Sequence, residues 1–230
     1  PSDGGPVAVP SQDMVLGIYY LTQERPGEKG EGKYFKNLNE AILAYENGVI
    51  ALHSRIKVRV TKTIDGEVKS GTVESTLGRF LLNEIIPQDL GFVDRSIPGN
   101  ELLLEVDFLV GKKQNKQILE KVINTHGATV TAEVLDRIKA TGYKYSTRAA
   151  MTVSISEMTV PPQKPQMIQE AQETVDKITK NFKRGLITEE ERYKEVVETW
   201  KNTDDALTKA LLDGLDKYNN IFMMADSGAR

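Results

Sequence analysis

Cysteine is absent from these 230 residues, which excludes disulfides, thiol nucleophiles and cysteine zinc sites. Histidine is nearly absent: His53 and His126 stand far apart, without metal-ligand spacing, and read as surface or packing residues. No apolar run approaches the roughly 18 residues of a membrane-spanning helix, and the N-terminus lacks a charged-then-apolar signal pattern. The expected location is therefore cytoplasmic, with no membrane partner. An excess of basic charge is also missing. The net charge of −3 and pI near 5.6 argue against a stand-alone nucleic-acid binder with a broad basic surface, although local basic stripes stay open. The sequence offers no serine elbow, histidine triad, paired-histidine helix or acidic cluster spaced for metal, so the residues alone favour a binding or scaffolding piece. Pro1 is not an initiator methionine, and the chain stops after a polar, turn-like run, so both ends are expected to be cuts in something larger.

What is present is an ordinary soluble composition, 39% hydrophobic and 27% charged, enough for one large or two modest cores. Its most specific stretch runs from Pro162 to Trp200. From Pro165 onward, Ile168, Ala171, Val175, Ile178 and Phe182 alternate steps of three and four, a narrow stripe suited to pairing with one other helix. Glu173 with Lys177, and Asp176 with Lys180, set acid four residues before base on the exposed faces. Gly185 can close this arm in the left-handed conformation, with Lys183 and Arg184 at the negative end of the helix dipole. Thr188 stands three residues before Glu191, a capping box that starts a return arm, and Glu189 and Glu190 complement its positive end. Tyr193, Val196 or Val197, and Trp200 are expected to face the first arm. So short a connection makes the arms antiparallel neighbours, either as an appendage or inside a helical bundle.

The remainder reads as an irregular body. Ser11 is expected to cap a helix over Gln12–Thr22 carrying Met14, Val15, Ile18 and Leu21, with Gly17 weakening it unless close packing requires a glycine there. Gly27 to Lys33 matches a phosphate loop only as far as the lysine: Tyr34 replaces the magnesium-binding hydroxyl, two glutamates would repel phosphate, and a strand follows instead of a helix. A mobile loop is the better reading. Asn37, three residues before Glu40, should cap a helix that carries Leu38, Ala41, Ile42 and Tyr45 and stops at Gly48. Ile56, Val58 and Val60 alternate with Arg55, Lys57 and Arg59, a half-buried strand that turns at Asp65-Gly66 and returns through about Thr72 to Thr76. Its basic face is either solvated or turned towards phosphates. Further on, a helix is expected over Leu77–Ile86, a loop over Gln88–Asn100 and a strand over Leu102–Val110. Two helices should follow, Lys116–Thr125 closed by Gly127 and Thr131–Thr141 closed by Gly142, and then an extended run from Tyr143 to Ile155 containing the polar pair Thr147 and Arg148. The fold class is α+β: an irregular mixed body with short β hairpins and helices, plus a projecting antiparallel two-helix coiled-coil hairpin.

Four collinear strings add a resemblance. Val9-Pro10-Ser11-Gln12-Asp13-Met14-Val15-Leu16-Gly17 with Tyr19 and Tyr20, then Thr76-Leu77-Gly78-Arg79, then Arg184-Gly185-Leu186-Ile187-Thr188 with Glu191-Arg192-Tyr193, and last Met223-Met224-Ala225-Asp226-Ser227-Gly228-Ala229-Arg230 closely resemble the β′ family, the largest catalytic subunits of bacterial RNA polymerases. The resemblance spans essentially the whole chain. It implies a pore region over 1–160 and a funnel region over 161–230 around the secondary channel, with rim helices at about 165–200. As part of that nucleotidyltransferase, the chain would line the route by which nucleoside triphosphates enter and the RNA 3′ end backtracks, in company with the other polymerase subunits. By the same resemblance, Arg230 is a triphosphate contact and Gln12 lies near the same centre. The rim tip, Phe182, Lys183, Arg184, Gly185, Leu186, Ile187 and Thr188 with Glu189, Glu190, Glu191, Tyr193, Lys194 and Glu198, would dock Gre-type transcript-cleavage factors and similar channel regulators. Lys194 and Glu195 follow Tyr193 where proteobacterial relatives carry the Asn-Lys pair of an alarmone site, a departure from that pattern. The family's magnesium-binding aspartates and cysteine zinc clusters are not in this sequence, so the parent's Mg and Zn would be bound outside it, no cofactor is expected within it, and the isolated chain should be inactive. Two other readings are a stand-alone coiled-coil adaptor and a small nucleotide-binding enzyme built on Gly27 to Lys33.

Overall fold

A computed structural model describes residues 5–64 and 67–230, and shows an α+β chain. The chain divides into two units, residues 1–151 with 223–230, and residues 152–222. The expected Asp65-Gly66 turn lies outside the described residues.

Helix α1, Asp13–Thr22, is buried on nearly every side, from Val15 through Tyr19 and again at Leu21 and Thr22, which a single apolar face does not anticipate. Its partner is α4, Lys112–Ala149. A Cβ at Gly17 would lie 1.7 Å from the Gly142 carbonyl oxygen, and one at Gly142 would lie 2.5 Å from that of Met14. Close packing thus requires both glycines. It also corrects the expected helix end at Gly142, because that glycine sits inside α4 as a contact surface and the helix runs on through Tyr143 to Ala149. The break expected at Gly127 is present as non-helical backbone, φ 79°, within the span of α4. Ser11 does not cap α1; Gln12 takes that place with φ 49° and no side-chain cap, while Ser11 offers only its carbonyl to Met14 N–H at 3.2 Å.

The sheet is small. Strand β1, Tyr34–Phe35, runs parallel to β2, Arg55–Ile64, which pairs antiparallel with β3, Glu67–Thr76, in a register that sets Val58 opposite Val73. Between β1 and β2 lies α2, Leu38–Glu46, capped as expected by Asn37, whose side chain accepts from Glu40 N–H at 2.9 Å; Gly48 follows at φ 65°. After β3, Thr76 caps α3, Leu77–Asn83, which ends three residues before the expected Ile86. On the basic face of β2, Arg55 meets Glu24, Glu74 and Asp107 at 2.9 to 3.5 Å, Lys57 lies 4.0 Å from Glu74, and Arg59 donates to the Ser70 hydroxyl. Ile18, Leu21, Ile56, Leu77, Leu82, Ile118 and Ile138 fill one core.

Two expected extended runs are corrected. Residues 102–110 form no strand, because side chains rather than a neighbouring strand take their backbone groups: Asn83 accepts from Val106 N–H and donates to its carbonyl, Gln88 accepts from Glu105 N–H, and Thr22 accepts from Val110 N–H. Residues 143–149 are helical, so Thr147 turns its hydroxyl back onto the Tyr143 carbonyl at 2.9 Å and Arg148 lies over the Tyr145 ring. The Gly27–Lys33 loop is a loop, but a tethered one: Gly32 N–H reaches the Arg55 carbonyl, and the Lys29 carbonyl takes both Ala51 N–H and the Ser54 hydroxyl. It enters a two-residue strand, not a helix, which removes the phosphate-loop geometry.

The second unit contains the two-helix hairpin, α5 over Lys164–Lys183 and α6 over Glu189–Gly214. Ala171 and Ile178 are buried in its seam, with Met167, Val175 and Phe182 half-buried beside them, while Ile168 is 40% exposed. On α6 the expected Val196 is half-buried, but Tyr193, Val197 and Trp200 are exposed; Arg192, Thr199, Thr203 and Leu207, at helical steps of three and four, are half-buried with it. The guanidinium of Arg192 lies 5.2 Å from the centre of the Phe182 ring. An arginine stem and threonine methyls pack as apolar surface, so side-chain type alone misplaces the stripe. Nor do the expected acid–base pairs form on α5; Gln169 donates to Glu173 and Gln172 to Asp176 instead. A short helix, α7, spans Asn220–Asp226.

Candidate functional site

The two residues that the resemblance assigns to the substrate, Arg230 and Gln12, lie at opposite ends of the sequence, and the fold brings their surroundings together. Gln12 is the turn into α1, next to Asp13 in its first turn. Arg230 places its guanidinium 3.4 Å from Asp13 Oδ1, across 217 positions of sequence, and both side chains remain largely exposed. The segment leading to Arg230 is fixed in stages. Tyr19 donates its hydroxyl to Asp226 Oδ2 at 2.8 Å. Lys112 N–H donates to the Ser227 carbonyl at 2.8 Å, Gly228 turns with φ 71°, and Ala229 is buried against Val15 and Leu16. A guanidinium so held is a charged fork for an anionic oxygen, with one neighbouring carboxylate to exchange. Asp13 and Tyr19 were not singled out as site residues, and no local signal could have revealed them, since their partners are more than 200 residues away.

At the other end of α1, Arg79, 7% exposed, joins α3 to the exit of α1 and to the loop at Asp107. Its Nε donates to the Thr22 carbonyl, and its Nη1 lies 3.0 Å from Glu24 and 3.2 Å from Asp107, which also accepts from Ser75. Among the described residues, no group of three or more His, Cys, Asp or Glu side chains is placed to hold a metal ion, and no helix is long and apolar enough to cross a membrane.

The second candidate is the hairpin tip. Leu186 N–H reaches the Asn181 carbonyl at 3.0 Å and Gly185 N–H that of Phe182 at 2.8 Å, the paired bonds of a Schellman closure, with Gly185 at φ 72°. Thr188 and Glu191 form the reciprocal cap: Glu191 N–H to Thr188 Oγ1 at 3.2 Å and Thr188 N–H to Glu191 Oε2 at 2.8 Å. These bonds hold the Glu191 carboxyl below the usual carboxylate range, as the Arg192 hydrogen bond does for Glu189. Phe182 and Ile187 are half-buried; Lys183, Arg184, Gly185, Leu186, Thr188, Glu189, Glu190, Glu191, Tyr193, Lys194 and Glu198 are exposed. The tip offers a basic edge, an apolar point at Leu186 and an acidic edge, all on rigidly capped backbone.

Comparison with known proteins places these features in context. A family model described as RNA polymerase Rpb1, domain 3 matches residues 1–158. The DNA-directed RNA polymerase subunit beta′ of Lachnoclostridium phytofermentans is 71% identical over 231 aligned residues covering all of this chain. Those of Clostridium acetobutylicum and Acetivibrio thermocellus are 57% and 55% identical, again over the whole chain. The chain spans 18 to 20% of the length of these relatives.

Proposed function

The chain belongs to the RNA polymerase Rpb1, domain 3 family, and on that premise we propose that it is a segment of a β′ subunit that lines the secondary channel of a DNA-directed RNA polymerase. Residues 1–160 serve as the pore region and 161–230 as the funnel region, with the hairpin at about 165–200 as the channel's rim. In the assembled enzyme, Arg230 contacts the triphosphate of the incoming nucleotide near Gln12, and the hairpin tip docks transcript-cleavage factors and related regulators. Other polymerase subunits are its permanent partners. Similarity to β′ subunits over the whole of this chain leaves the separate adaptor reading without support.

The observation that supports the nucleotide role is the meeting of Arg230 with the start of α1. Its guanidinium is exposed, charged and tethered through backbone on both elements, and so is free to exchange Asp13 for phosphate oxygens. The metal chemistry of phosphoryl transfer belongs to residues elsewhere in the parent enzyme, and this chain's part is to orient the triphosphate. In reconstituted polymerase, Arg230→Ala should raise KM for all four nucleotides by about tenfold or more, as expected for the loss of a hydrogen bond to a charged group. Equal KM in mutant and wild type would end this reading. Changing Gly185 and Thr188 together should weaken binding of a purified cleavage factor to the same enzyme.

A further inference from the structure

The chemistry of Arg230 depends on where its backbone is, and that backbone is a short segment, Asp226 to Arg230, laid along α1. The contacts fall in reverse order: Asp226 meets Tyr19, Ala229 packs on Val15 and Leu16, and Arg230 reaches Asp13. The segment therefore runs antiparallel to the helix, from its sixth residue beyond Asp13 back to its first turn. At 1.5 Å per residue that stretch of α1 is about 9 Å long, within the roughly 13 Å that four extended residues can span. One end of the run is a side-chain hydrogen bond, and the other is the substrate-facing guanidinium.

We propose that Tyr19 and Asp226 form a strut that positions Arg230 for the nucleotide triphosphate, a role that rests on the reading of Arg230 given above. Tyr19 is 2% exposed, so its ring is fixed by packing and its hydroxyl has one direction in which to point. That hydroxyl donates to Asp226 at 2.8 Å, at the last residue of α7, where helical backbone gives way to the turn that carries Arg230. Asp226 itself is exposed and contributes little to the core. Its contact with Tyr19 spans 207 positions and is thus a tertiary tie, not a helix-capping bond. Burial and the neighbouring carboxylate hold the Tyr19 hydroxyl protonated well above its ordinary range, so the donor persists at every working pH. Backbone bonds from Ser227 to Met223, from Gly228 to Ala225 and from Lys112 to Ser227 hold the turn itself, and the Tyr19–Asp226 bond ties the end of α7 to the side of α1.

The test is single-nucleotide addition by reconstituted polymerase carrying Tyr19→Phe, Asp226→Ala, Asp226→Asn, Arg230→Ala or the pair Tyr19→Phe with Asp226→Ala. Losing the strut loosens Arg230 without removing it. Tyr19→Phe and Asp226→Ala should each raise KM about three- to tenfold for all four nucleotides, with kcat within about twofold of wild type. Asp226→Asn keeps an acceptor and should stay close to wild type. The double variant should be no worse than either single one, because both remove the same bond. If Arg230→Ala raises KM while Tyr19→Phe and Asp226→Ala leave it unchanged, the strut is overturned and the role of Arg230 stands. If Arg230→Ala has no effect, the underlying reading fails first. A fall in kcat at unchanged KM, or additive losses in the double variant, would mark a general structural defect and overturn the positioning role. Tyr19→Phe conserves the buried ring, and Asp226 is exposed, so both variants preserve the fold being tested.

Discussion

His53 is 3% exposed, and its Nε2 lies 2.8 Å from the Tyr20 carbonyl. A carbonyl only accepts, so the proton of the neutral ring sits on Nε2. Burial first, and the charge of Arg25 second, push its pKa down from 6.5 to about 4. The unfolded chain therefore takes up this proton before the native one does. Stability from this residue is full above pH 6.5 and is lost as pH falls towards 4, by about 3 kcal/mol in all. Denaturant titrations at stepped pH should show that limb, and His53→Gln, which can still donate to Tyr20, should flatten it. Arg79 makes a second prediction at this scale. Arg79→Met removes one of the two cations that Glu24 and Asp107 share with Arg55, together with its bond to the Thr22 carbonyl, and should cost about 1 to 2 kcal/mol in equilibrium unfolding. The sequence marked both residues without showing their roles: His53 was read as surface or packing, and only the structure supplies the partners that decide between them.

At the scale of elements, local chemistry was legible and tertiary substitution was not. Asn37 with Glu40, Thr188 with Glu191, and Gly185 each satisfy backbone groups within a few residues, so the spacing in the sequence is the interaction itself. Residues 102–110 look like a strand because strands and buried loops share apolar alternation; what differs is the source of their hydrogen-bond partners, here Asn83, Gln88 and Thr22. Gly142 reads locally as a helix end, yet its missing Cβ is used for contact with α1. The candidate sites divide the same way. The fold of the hairpin tip is contiguous and could be read from spacing, while its docking role rests on resemblance; the meeting of Arg230 with Asp13 is encoded by no local pattern. Two prescriptions follow for the hairpin's own caps. Thr188→Ala should cost about 1 kcal/mol, and Gly185→Ala, at φ 72°, about 1 to 2 kcal/mol, both measured by denaturation followed through helix content.

Over the whole molecule, the two units keep separate cores: one gathered around Ile18, Ile56 and Ile138, the other a seam around Ala171 and Ile178. Ile178→Asp should therefore splay α5 from α6 and lower the stability of residues 152–222, while hydrogen exchange in the core around Ile56 stays as in the parent. The larger unit also contains a contact whose effect reaches further than its size. Gly17 and Gly142 let two helices touch backbone to backbone, and α1 is the rail on which the segment to Arg230 lies. A methyl group at either glycine would shift that rail, and the clash distances allow no smaller adjustment. On the proposed role of Arg230, a polymerase carrying a variant mild enough to fold would have an appetite fault: transcribing normally when nucleotides are plentiful and stalling when they are scarce, through a residue that never meets one.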